Sequence, residues 1–171
     1  MSKVLDTPIV PVPVDQEWTP ELLLALPETH KYEVREGNLV IMSAAHLPFH
    51  GRTQYRITHL LGELAYPEAG LNLGPKELRT CDVGVFHEQP TNEQAYWPPQ
   101  AYSLVVEIVS PSSEREDREI KPRLYAAAGI PVYWLVERSE DGEPLVHQFT
   151  LEDGAYRPSD GPIPLSNLEQ R

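Results

Sequence analysis

Two acids and one lysine are the residues of this chain best suited to chemistry. Asp82 stands in Cys81-Asp82-Val83-Gly84-Val85, Glu107 in Leu104-Val105-Val106-Glu107-Ile108-Val109, and Lys121 in Asp117-Arg118-Glu119-Ile120-Lys121-Pro122. An ionised carboxylate inside so apolar a run is costly to desolvate unless a cation, a metal or hydrogen-bond donors meet it. The ordinary alternatives are a structural ion pair for Glu107 and a solvated, turn-proximal position for Asp82. Two carboxylates brought close together repel one another and suit a hard divalent cation, magnesium or manganese. A lysine from a following helix would then hold a substrate phosphate or the attacking water, which is the equipment of metal-assisted phosphodiester hydrolysis. For Asp117 and Lys121, four apart on one helix, the plainer reading is a surface pair contributing about 0.3–0.5 kcal/mol.

The elements that must position these residues follow from patterning. Thr19-Pro20-Glu21 starts a short helix with Leu22, Leu23, Leu24 and Leu26 on its packing face. Lys31–Arg35 and Leu39–Met42 flank Glu36-Gly37-Asn38 and read as a hairpin. Glu33 lies in its first arm, where a lone acid is ordinarily solvated. Helical spacing runs from Leu47 to Tyr66, with Pro67 and Gly70 as breakers. His46, His50 and His59 accompany this helix without the H-E-x-x-H spacing of a helix-borne metal site, so they read as surface or cap residues. His50, at the helix start, is the one placed to reach a site.

A short strand is expected over 71–74 and a longer one over 78–87, where Cys81, Val83 and Val85 share one face and Asp82, Gly84 and Phe86 the other. The small Gly84 beside Asp82 suggests room for a ligand. A polar, proline-rich loop covers 88–101. The apolar run at 104–109 reads as a strand buried on both faces, and Ser113 and Glu116 have capping-box spacing. The next helix either begins near Lys121 or kinks there, because Pro122 does not fit a helix interior. Val132–Val136 is a second buried strand, parallel to the first across this helix. Asp141-Gly142 and Asp153-Gly154 then fold the remaining strands into an antiparallel meander.

Composition bounds the function. At 171 residues the chain suits one domain over 18–157, preceded by an extended arm over 1–17 and followed by a loosely packed tail over 158–171. Fourteen basic residues against 26 acidic ones give a net charge of −12, which disfavours nonspecific coating of nucleic acid and weighs less against an enzyme. Cys81 is the single cysteine, which excludes an intrachain disulfide and a cysteine-ligated zinc site and points to the cytoplasm. No membrane span, phosphate-binding glycine loop or nucleophile elbow is present.

Tyr32-Glu33 with Gly37, His50, Asp82-Val83, the run Val106-Glu107-Ile108-Val109-Ser110-Pro111-Ser112, Asp117 with Lys121, Tyr125, and Ala128-Gly129-Ile130-Pro131-Val132-Tyr133-Trp134 resemble the Uma-type restriction endonuclease family of the PD-(D/E)xK nuclease superfamily. The resemblance runs from about Trp18 to Val146. It implies an α/β fold with a restriction-endonuclease-like mixed β-sheet flanked by helices, here with an N-terminal hairpin and a C-terminal antiparallel meander. It implies Asp82 and Glu107 as metal ligands and Lys121 as the catalytic lysine, moved from strand to helix because Val109 stands two past Glu107. It makes Glu33 a further acid near the metal. Cys81 replaces the proline that usually precedes the motif aspartate. The expected activity is magnesium- or manganese-dependent cleavage of nucleic acid, DNA before RNA, by a homodimer. The competing expectation is a non-catalytic homo-oligomeric binding module that keeps the nuclease fold.

Overall fold

The computed structural model describes residues 16–27, 30–42 and 47–170. The arm expected over 1–17 lies outside these residues except for its last two positions, and His46 lies outside them as well.

The hairpin forms as expected. β1 (Lys31–Arg35) and β2 (Asn38–Met42) pair in register from Lys31↔Met42 to Arg35↔Asn38. Glu36 and Gly37 both take positive φ at the turn. Before them, α1 (Pro20–Leu24) is capped by the Thr19 side chain, which accepts from Leu22 N. After them, α2 (Pro48–Leu61) ends at Gly62, which has φ +83.

The expected helix to Tyr66 is therefore too long. The chain enters β3 (Ala65–Gly74) and passes through Pro67 and Gly70 as a strand. Pairing with β4 (Glu77–Phe86) along this whole length outweighs two residues that read as breakers in isolation. The loop that follows carries a two-residue strand, β5 (Tyr96–Trp97), parallel to β3. β6 (Tyr102–Ile108) is the buried strand that holds Glu107.

A π-helical turn, Glu116–Ile120, leads into α3 (Lys121–Ala127). Pro122 thereby falls in the first turn of α3, where no helical N–H is required of it. β7 (Val132–Arg138) is parallel to β6, as a strand-helix-strand unit requires. β8 (Pro144–Glu152) and β9 (Ala155–Pro158) complete the meander. The segment expected to be a loosely packed tail is tied in. β10 (Ile163–Pro164) pairs with β8, and the one-turn α4 (Leu165–Leu168) buries Leu165 completely, because Leu165 and Leu168 are the apolar residues available to cover that part of the sheet.

The result is a mixed ten-stranded sheet, mostly antiparallel, ordered β10-β8-β7-β6-β4-β1-β2 along its main path and flanked by a few helices. One apolar cluster joins Tyr125 of α3 to Cys81, Tyr102, Val105 and Tyr133. A second joins Ile57 of α2 and Leu165 of α4 to Val83, Val106, Ile108 and Val136. Cys81 and Val83 therefore serve different cores, contrary to the simple alternation. The pairing with β3 steps from Pro67↔Val83 to Ala69↔Cys81 across Glu68, whose φ of +54 is not a strand conformation. Gly84 leaves no open space either: a Cβ there would lie 2.6 Å from the Tyr102 ring and 2.8 Å from Ala69 Cβ.

Candidate active site

The centre of the sheet is forked. β4 gives one edge to β3 along its full length. Its other edge pairs with β6 from Val83 to Phe86 and with β1 at Leu78. Between these two partners, Arg79 to Asp82 have no ladder neighbour on that side, and backbone polar groups left unpaired inside a protein must find other partners. Charged side chains supply them. Ile108 N donates to Asp82 Oδ2 at 2.6 Å, Thr80 N donates to Glu33 Oε1 at 3.0 Å, and Lys121 Nζ donates to Thr80 O at 3.2 Å.

All four residues singled out in the sequence converge on this fork. Glu107, 1% exposed, receives Lys121 Nζ on Oε2 at 2.7 Å and the Tyr125 hydroxyl on Oε1 at 2.7 Å. Lys121 also lies 3.6 Å from Asp117 Oδ1. That pair is buried rather than the surface pair its spacing suggests, because α3 turns this face onto β6. Asp82 is met by His50 Nε2 at 3.1 Å on Oδ1, and Gln54 of α2 donates to its backbone carbonyl at 2.8 Å. Glu33 is not solvated but 1% exposed, with its Oε2 accepting from Arg35 Nε at 2.9 Å and Arg79 Nη1 at 3.3 Å.

The electrostatics follow from this crowding. Burial pushes the Glu107 carboxyl well above its usual range, and Asp82 and Asp117 push it further, against the pull of Lys121. Burial likewise raises Asp117. For Lys121, burial favours the neutral amine, but Glu107, Glu33, Asp117 and Asp82 outweigh it and hold the proton on. Burial would also raise Asp82 and Glu33, yet both end below their usual range. His50, Lys121 and the Ile108 N–H do this for Asp82, and Lys121, Arg35, Arg79 and the Thr80 N–H for Glu33. His50 is raised despite its burial, chiefly by Asp82.

A cleft of about 420 Å³ opens over these groups. Its wall carries six carboxylates (Glu33, Glu68, Asp82, Glu107, Glu116 and Asp117) against the three fixed cations Lys31, Arg35 and Lys121. Among the described residues, no group of three or more His, Cys, Asp and Glu side chains is arranged to hold a metal ion by itself.

Several members of the site escape a reading of the sequence. Arg35 and Arg79 are not singled out in the sequence, and Glu116 reads as the far half of a capping box. Ser113 instead donates to Asp117 Oδ2, and Glu116 reaches both arginines. The available signal was an arginine two residues after a glutamate in each strand, Glu33 with Arg35 and Glu77 with Arg79, which places each pair on one face.

The fold that carries this site, a mixed sheet flanked by helices, is one that a solved putative nuclease shares. The chain belongs to the Uma2 family, described as "Putative restriction endonuclease", which it matches over residues 20–169. A solved structure described as a "putative nuclease belonging to DUF820" from Anabaena variabilis ATCC 29413 has the same fold, with a TM-score of 0.64 and 17% sequence identity. That match covers 90% of this chain and 98% of the other. No curated protein matches the chain. Among the described residues, no helix is long and apolar enough to cross a membrane.

Proposed function

We propose that the chain is a divalent-cation-dependent nuclease that acts on DNA, with its reaction centre at the β4–β6 fork. The observation that carries this reading is the Lys121–Glu107 contact at 2.7 Å beside Asp82, which brings a buried cation and two acids from three elements to one cleft wall.

Donor chemistry supports a cation. Asp82 and Glu107 offer hard oxygen ligands, and magnesium ordinarily takes only one or two carboxylates while keeping water and substrate oxygens for the rest. A site with two protein ligands therefore suits magnesium although no three acids form a cage. Charge supports it as well, since a phosphodiester approaching six carboxylates and three fixed cations is repelled until some acid is neutralised. When bound, a divalent ion would polarise the scissile phosphate and make water a better nucleophile.

The protein's own groups have separable roles in this reading. Lys121 stabilises charge that develops on the phosphate, with Asp117 and Tyr125 fixing the ammonium and Glu107 in place. His50 and Ile108 N orient Asp82. Glu33 holds the Thr80 backbone and the two arginines beside the site. Homodimerisation and a cytoplasmic setting belong to the same proposal, the open edge of β2 with Ile41 53% exposed being the surface that favours a second copy.

The test is cleavage of single- and double-stranded DNA and of RNA with magnesium or manganese, with Glu107→Gln and Lys121→Met as controls. Wild-type cleavage lost in both variants is the expected result, and equal activity in all three rules the reading out. One observation favours a second reading, a binding module without turnover: both Glu107 oxygens are already occupied by Lys121 and Tyr125. Calorimetric titration with magnesium and manganese separates the two, because a protein that binds neither ion supports the module.

A further inference from the structure

Beside the proposed reaction centre, one carboxylate spans two arginines from different strands. Glu116 Oε1 accepts from Arg35 Nη1 at 2.8 Å, and Glu116 Oε2 accepts from Arg79 Nη1 at 3.0 Å. Two oxygens of one anion shared between two guanidinium groups is also the pattern in which arginines hold the two non-bridging oxygens of a phosphodiester.

Three features set Glu116 apart from the other acids of this cluster. First, the arginines are neutralised without it: Glu33 Oε2 lies 2.8 Å from Arg35 and 3.3 Å from Arg79, and Glu77 Oε1 lies 2.5 Å from Arg79 Nε. Glu116 is the third acid for two cations. Second, its side chain is 21% exposed and lines the cleft, whereas those of Glu33 and Arg79 are deeply buried. Third, it opens the π-helical turn before α3, an irregularity that often marks functional positions in helices. The arginine pair is also tied to the reaction centre through the backbone. Arg79 precedes Thr80, whose N–H is held by Glu33 and whose carbonyl receives Lys121.

We propose that Arg35 and Arg79 form a subsite for a second phosphate of a nucleic-acid strand, next to the scissile one, and that Glu116 occupies this subsite in the free protein and yields it to substrate. This rests on the nuclease reading for the identity of the ligand. Exchanging Glu116 for a phosphate keeps an anion on Arg35, which lines the cleft, and on the buried Arg79 behind it. The internal carboxylate also acts as a threshold: isolated small anions must displace it alone, while a strand already anchored at Lys121 does so with the advantage of a linked second contact.

The experiment measures anisotropy of a labelled 12-nucleotide DNA strand in calcium buffer, with cleavage of the same strand in magnesium followed separately. Glu116→Gln removes one charge at nearly constant shape and should tighten binding about three- to ten-fold. Glu119→Gln removes the same charge from the exposed face of the same turn and should leave affinity within about two-fold. Arg35→Lys keeps the charge but not the fork, and should cancel the Glu116→Gln gain in the double variant. Thermal melts check that each variant is folded. A Glu116→Gln gain that Arg35→Lys cancels supports the subsite even if no variant cleaves, in which case the nuclease reading alone fails. Equal affinity of wild type and Glu116→Gln, an equal gain in Glu119→Gln, or no binding by either protein overturns the subsite.

Discussion

Asp82 accepts the backbone N–H of Ile108 at 2.6 Å and so occupies with a side chain the position where β4 and β6 part. The same carboxylate faces His50. Asp82 is therefore both part of the sheet's hydrogen bonding and a proposed ligand, and the two duties can be separated. Asp82→Ala should cost about 1–3 kcal/mol in urea unfolding, because it leaves the Ile108 N–H without an acceptor. Asp82→Asn keeps an acceptor and should stay within about 1 kcal/mol of wild type while magnesium-dependent cleavage falls below detection. An Asn variant that cleaves normally removes Asp82 from the reaction centre.

Lys121→Met leaves Glu107 buried without its cation. Breaking a buried pair from one side typically costs about 3–5 kcal/mol, and Glu107 can soften that by taking up a proton. Its carboxyl is already raised by burial and by Asp82 and Asp117, so its folded value lies above the unfolded one. Such a group costs nothing below the unfolded range, and stability then falls as pH rises from there toward the folded value, where the loss is complete. The variant should therefore be close to wild type near pH 5 and markedly weaker at pH 8. Lys121→Met with Glu107→Gln should recover most of the loss at pH 8. Denaturant midpoints across that range measure this, and a loss independent of pH contradicts it.

Glu33 behaves in the opposite sense. Lys121, Arg35 and Arg79 outweigh its burial and hold it below its ordinary value of 4.5. Its contribution is fully present above that value and is lost as pH falls through the lower folded one. Glu33→Gln should lower stability at pH 7 by about 1–3 kcal/mol and flatten the acid limb between about pH 5 and 3. Urea midpoints for both proteins at each pH test it, and parallel acid limbs count against the assignment.

Gly84 is confined by the Tyr102 ring and Ala69, so Gly84→Ala should destabilise by about 1–3 kcal/mol through overpacking. Under the proposed reading, magnesium titration of the variant should match that of wild type. A fully stable Gly84→Ala protein would show that Tyr102 yields easily and that the space beside Asp82 is adaptable.

Much of this protein was legible before any coordinates. The hairpin around Gly37, the strands around Asp82 and Glu107, the helix with Lys121 and the parallel return at Val132 all follow from local patterning. Periodicity and turn residues are short-range properties, and the sheet uses them as they stand. Local signals failed where pairing over a distance overruled them, as at Pro67 and Gly70, which β4 holds in a strand. They failed again at Ile163–Leu165, where β8 and the core claim a segment that reads as loose.

The candidate site divides in the same way. Residue type and order singled out Asp82, Glu107 and Lys121, because an acid in an apolar strand and a lysine on the next helix are visible in one dimension. Only the tertiary structure decided that β6 and β1 share one edge of β4 and leave a gap between them. That gap draws Glu33 from the hairpin, His50 from α2, and Arg35, Arg79 and Glu116 from three separate elements into one network. No spacing rule encodes such a meeting, since it depends on where two strands diverge and on unpaired backbone groups that charged side chains must satisfy.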